Sequence, residues 1–210
     1  KVFEEERELT LMLVVDVSRS SQYGSHEQFK MEILTEISAT LAFSALQNND
    51  KVGLILFTDQ IELYIPPKKG KSHILRIIRE LIEFTPNNSR TNISGALKFM
   101  ADVQKKRAIV FVLSDFMDAD YASNLKIAAK KHDLTGIRIF DKHEIKLPNL
   151  GLVPMIDQET GNYQLVHTGS KTLQRNHRNY TSKRELYFDE SFKKSGAGTI
   201  ICRTDESYVK

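Results

Sequence analysis

The run Asp16-Val17-Ser18-Arg19-Ser20 sets one carboxylate and two hydroxyls at alternate positions, so that in an extended loop all three side chains can point to one spot. Ser114-Asp115 ends a later apolar run in the same manner, and the loop Asn87-Asn88-Ser89-Arg90-Thr91-Asn92 adds a hydroxyl in Thr91. Hydroxyls and carboxylates with no soft ligand among them are what a hard, oxygen-loving cation prefers. Magnesium fits better than calcium. It takes about six oxygens at roughly 2.0–2.1 Å, keeps several waters and needs few carboxylates. Two carboxylates and three hydroxyls cannot fill and neutralise such a site, so at least one position stays open to an anionic ligand such as a carboxylate from another protein. The candidate metal residues are Asp16, Ser18, Ser20, Thr91 and Asp115, with Mg2+ as the expected ion and Mn2+ or Ca2+ as alternatives.

Residues so far apart in sequence need a sheet to bring them together. In open α/β sheets, ligands bind outside the carboxyl ends of the strands, near the point where strand order reverses. Short, continuous apolar runs predict buried strands at Leu9 to Val15, Val52 to Phe57, Ala108 to Leu113, Gly136 to Phe140 and Gly198 to Cys202. Ile61 to Ile65, after the turn Thr58-Asp59-Gln60, reads as an antiparallel edge strand that Pro66-Pro67 should close. Amphipathic stretches between them predict helices at Phe29 to Leu46, His73 to Phe84, Ser94 to Gln104 and Ala122 to His132. The first carries the stripe Ile33, Ile37, Leu41 and Ala45, and the second Ile74, Ile77, Ile78, Leu81 and Ile82. A last helix falls somewhere between Lys171 and Lys193. Leu152 to Ile156 and Tyr163 to Val166, around Gln158-Glu159-Thr160-Gly161, read as an inserted hairpin at about 147–168. Strands alternating with helices predict a Rossmann-like, doubly wound α/β fold with a mostly parallel central sheet, helices on both faces and one antiparallel edge strand. With no repeat, low-complexity tract or linker in sight, residues 1–210 are expected to form one domain.

Composition narrows the function classes. The 210 residues carry 30 Lys and Arg against 27 Asp and Glu, a net charge of +3, which excludes a polyanion binder resting on bulk charge. No nucleic-acid partner is expected. The single cysteine, Cys202, rules out an intramolecular disulfide or a Cys-based zinc site, and fits a reducing compartment. Apolar runs fall far short of the roughly 20 residues that cross a bilayer, so no membrane span is expected in this stretch. The chain starts at Lys1 without a Met, which is expected of a fragment of a longer protein.

Asp-x-Ser-x-Ser after the first strand, a later Thr, and Asp at the end of a central strand resemble the metal-ion-dependent adhesion site of von Willebrand factor type A domains. By that resemblance Ser18, Ser20 and Thr91 are hydroxyl ligands, while Asp16 and Asp115 act largely through water. More narrowly, the chain is similar to the C-terminal half of the bacterial family called domain of unknown function 58. The stretches that carry this are VVDVSRSSQYGS, NNDKVGLILFTDQIELYIPPKKGKSHIL, VLSDFMD, and KKHDLTGIRIFDKHEIKLPNLG with the following DQETG. One departure is Arg90, before the site Thr, where many type A domains have Gly. The resemblance implies a protein-interaction module, an adaptor or chaperone-like accessory to a MoxR-type AAA+ ATPase. It also implies a cytoplasmic location, with membrane association through a region missing from this chain.

Rival readings are weaker. Asp-x-Ser-x-Ser alone could be a capped turn, because Asp and Ser favour helix N-caps. Asp16 at a strand end also matches the nucleophile of haloacid-dehalogenase phosphatases, with Asp115, Asp118 and Asp120 as further acids. That magnesium-dependent alternative needs a carboxylate two residues on, where this chain has Ser18. No Gly-x-Ser-x-Gly elbow and no Walker loop is present, so no enzyme activity is expected. His132 and His143 are expected as surface or loop histidines, and Asp141, Glu144 and Asp157 as surface carboxylates. The basic run Lys171, Arg175, His177, Arg178, Lys183 and Arg184 is expected as a solvated helix face, and Cys202 as core packing.

Overall fold

A computed structural model describes residues 8–18, 27–141, 144, 147–156 and 163–204. Its chain runs β1 (Thr10–Asp16), α1 (Glu27–Gln47), β2 (Lys51–Phe57), β3 (Ile61–Lys68), α2 (Lys71–Glu83), α3 (Ile93–Val103) and β4 (Ile109–Ser114). There follow α4 (Ala122–Lys131), β5 (Asp133–Phe140), β6 (Leu152–Ile156), β7 (Tyr163–His167), α5 (Lys171–Ser195) and β8 (Gly198–Arg203). Six strands form one sheet in the order β3-β2-β1-β4-β5-β8. All pairs are parallel except β2 with β3. The expected doubly wound architecture, with its antiparallel edge, is what the chain adopts.

Strand periodicity divides the core in two. Leu11, Leu13 and Val15 face α1 and α2, packing with Ile33, Leu34, Ile74, Ile77 and Leu81. Met12 and Val14 face the other way, toward Ile93, Leu97, Met100, Leu125, Phe188 and Phe192 of α3, α4 and α5. With both faces covered, β1 and β2 are buried almost end to end, which is why they read as continuous apolar runs.

Three expectations about the elements need correction. Pro66-Pro67 do not end β3, whose ladder continues to Lys68 opposite Val52 across a register shift. An edge strand with a bulge tolerates proline because its outward N–H has no ladder partner to lose. β8 is not a buried strand. Among the described residues it is an edge of the sheet, and Ile200 and Ile201 are 46% and 56% exposed. On α2 the buried stripe is Ile74, Ile77 and Leu81, while Ile82 points out at 67% exposure.

α5 ends where a left-handed residue stops it, at Gly196 with φ 75°. Its buried residues are Thr181, Phe188, Ser191 and Phe192, and Lys171, Arg175 and Arg178 lie on its solvated side as expected. The hairpin β6–β7 forms as an antiparallel pair of its own, separate from the main sheet. Its turn 158–161 and Asp157 lie outside the described residues.

Candidate metal centre

β1 connects through α1 to β2 on one side, whereas β4 leads to β5 on the other. Strand order therefore reverses between β1 and β4, and the carboxyl ends of these two strands carry Asp16, Ser114 and Asp115. Asp16 is fully buried; its Oδ1 accepts from the Ser18 N–H at 3.0 Å and its Oδ2 from the Ser114 hydroxyl at 2.6 Å. Thr91 donates its hydroxyl to Ser18 Oγ at 2.7 Å. The Thr91 loop is pinned from two sides. Asn92 N–H bonds the Thr58 carbonyl at 2.9 Å, and Ile93 N–H, at the start of α3, bonds Asp118 Oδ2 at 2.8 Å. Asp16, Ser18, Thr91 and Asp115 thus come together at one end of the sheet, and Ser20 lies outside the described residues.

Asp115 is followed by Phe116, a buried residue with φ 56°, in the left-handed region that bulky side chains avoid. Its ring is wedged against Phe188 and Phe192, with centroids 4.8 and 5.4 Å away. Packing against α5 holds this strained turn, and the turn in turn fixes where the Asp115 carboxylate points.

Electrostatics mark the cluster. Burial, and after it the charge of Asp115, raises the Asp16 carboxyl to about 6, against the hydrogen bonds from Ser114 and Ser18 that favour its ionised form. Asp115 Oδ2 faces the Lys30 ammonium at 3.5 Å, and the same ammonium contacts Glu144 Oε1. Burial pulls the Lys30 ammonium down, but the charges of Asp115 and Glu144 outweigh it and hold it above its ordinary value. The Glu144 carboxyl is raised, by burial first, although Lys30 opposes the shift.

Lys30, Glu144 and Ser114 are absent from the expected ligand set. Lys30 carries a signal nonetheless: it stands one turn before Ile33 in phase with the apolar stripe, where a lysine has no business unless it is paired. Glu144, expected as a surface carboxylate, keeps 32% of its side chain exposed but pairs with the buried Lys30 ammonium. Asp141 is not a surface carboxylate; it is buried, and accepts a hydrogen bond from Thr204 at 2.7 Å. His132 is likewise no surface histidine. It is buried at the end of α4, neither ring nitrogen has a hydrogen-bond partner among the described residues, and burial lowers its pKa. His143 lies outside the described residues.

The donor set fits a hard cation: every described candidate offers oxygen, and the two carboxylates repel one another across a buried space. Among the described residues no three His, Cys, Asp or Glu side chains gather as a metal cluster, so an ion here would rely on the hydroxyls as well.

Residues 1–186 match the family described as protein of unknown function DUF58. The chain belongs to that family. Among curated relatives, the uncharacterized protein Rv1480 of Mycobacterium tuberculosis is 23% identical over 159 residues, 74% of this chain and 50% of that protein. This DUF58 chain spans about half the length of the curated relatives it matches. The solved structure of BatB from Bacteroides thetaiotaomicron aligns with a TM-score of 0.56 at 16% identity, over 90% of this chain and 98% of BatB. An aerotolerance-related membrane protein from Bacteroides fragilis aligns with a TM-score of 0.53 at 18% identity, over 88% and 99% of the two chains. These likenesses show a shared fold, of the von Willebrand factor type A kind. Among the described residues no helix is long and apolar enough to cross a membrane.

Proposed function

We propose that this DUF58 chain is a metal-dependent protein-interaction module and not an enzyme. The observation that carries this reading is the convergence of Asp16, Ser18, Thr91 and Asp115, oxygen donors only, at the switch point of the sheet. With Ser20 from the same loop, they would hold Mg2+, with Mn2+ or Ca2+ as alternatives. A divalent cation bound there would supply positive charge to an acidic residue of a partner. The chain's own part is to set that charge. Ser18 and Thr91 present neutral hydroxyls, and buried Asp16 contributes its charge from behind without reaching the surface.

The phosphatase alternative asks Asp16 to attack a substrate, yet Asp16 is fully buried and both its oxygens accept hydrogen bonds. Asp118, one of the acids it would recruit, is engaged by the first turn of α3. Both facts support the interaction reading. The family resemblance supports a MoxR-type AAA+ ATPase as the partner. The likeness to an aerotolerance-related membrane protein supports association with a membrane as part of this reading.

Co-purification from the native cell tests this. Tagged wild-type protein in magnesium is expected to recover an AAA+ ATPase, and to lose it in chelator or when Ser18→Ala and Ser20→Ala are combined. The same ATPase retained equally in all three samples would overturn the metal-dependent contact, and its absence from all three would overturn the partner.

A further inference from the structure

Lys30 projects from the first turns of α1 and is only 2% exposed. Buried lysines are rare unless paired, and this one is paired twice, to Asp115 from the end of β4 and to Glu144 beyond β5. The chain therefore places a unit positive charge of its own on a carboxylate that the proposed cation would use. The two pairings are unequal. Glu144 is in direct contact, whereas the 3.5 Å to Asp115 Oδ2 is long for a charge-assisted hydrogen bond, which runs at about 2.7–2.9 Å. Glu144 draws the ammonium toward β5 and leaves Asp115 only partly neutralised.

We propose that Lys30 is a tethered counter-ion that weakens divalent-cation binding at the Asp16, Ser18, Thr91 and Asp115 cluster, and that Glu144 limits this effect by holding the ammonium aside. The inference rests on the metal reading above. Its physical basis is Coulomb repulsion in a poorly solvated place: a fixed cation beside Asp115 both repels an incoming dication and takes up part of the negative charge that would bind it. Ile33 and Leu34 anchor α1 in the core one turn further on, which holds the Lys30 backbone beside the site. The site would then keep a modest affinity, with a partner's carboxylate supplying the missing negative charge.

Calorimetric titration with Mn2+ on purified wild type, Lys30→Met, Lys30→Arg and Glu144→Gln tests this, with circular dichroism to check each fold. Lys30→Met is expected to bind at least about tenfold more tightly than wild type, because it removes the charge at similar volume. Lys30→Arg keeps the charge and should match wild type. Glu144→Gln frees the ammonium to close on Asp115 and should bind more weakly, which keeps the test alive if Lys30→Met does not fold. Equal Mn2+ affinities for wild type, Lys30→Met and Glu144→Gln would overturn the counter-ion role and leave the metal site standing. No Mn2+ binding by any of the four proteins would remove the metal site, and the counter-ion with it.

Discussion

Asp16 is fully buried at the end of β1, with hydrogen bonds to both oxygens and the charge of Asp115 close by. Its carboxyl is held at about 6 against an ordinary 3.8, so between those values the folded protein keeps a proton that the unfolded chain releases. The sign follows directly. Without metal, stability should fall as pH rises from about 4 to about 6 and level off above, a loss on the order of 3 kcal/mol. Urea unfolding in chelator across that range checks this, and Asp16→Asn should flatten this part of the profile. A wild-type profile that rises through the window would contradict the placing of Asp16 in a buried, electronegative site. At this scale the sequence is legible where chemistry shows as spacing: Asp16, Ser18, Thr91 and Asp115 stand out because loop hydroxyls and carboxylates have few other reasons to cluster. Glu144 does not, since a charged side chain is read as solvated until the fold buries it, and Lys30 shows only through its phase with Ile33.

The elements explain how a strained residue can stand next to the site. Phe116 adopts a left-handed conformation and is held there by Phe188 and Phe192 from α5, while Gly136 on β5 lets Phe192 lie against bare backbone. A β-carbon at position 136 would overlap the Phe192 ring. Gly136→Ala is therefore expected to cost about 1–3 kcal/mol in a denaturant titration, as overpacking does. A change within about 0.5 kcal/mol would show that Phe192 yields freely and does not brace the Asp115 turn. Long, periodic elements are readable from sequence because burial writes itself into spacing, as in Ile74, Ile77 and Leu81 of α2. Propensity misleads at the margins. Pro66 and Pro67 sit within β3 because an edge strand asks for fewer donors, and Ile200 and Ile201 are apolar without being covered.

For the whole molecule, the sheet order places the loops after β1 and β4 side by side, and the type A-like fold shared with BatB follows from the same topology. Alternating strands and helices make that order a short list of choices, which is why fold class was legible from the chain. The packing of Lys30 between two strand ends was not, because it depends on three elements meeting. The central claim is that this meeting point binds a divalent cation. Thermal unfolding of wild type and Asp16→Ala, in chelator and in about 10 mM magnesium, tests it most directly. At about 100 times its dissociation constant a ligand stabilises by roughly 2.7 kcal/mol, enough to move the midpoint of a chain this size by several degrees. Magnesium is expected to raise the wild-type midpoint by that order and to leave Asp16→Ala where it was. The same midpoint for wild type in chelator and in magnesium would contradict the claim.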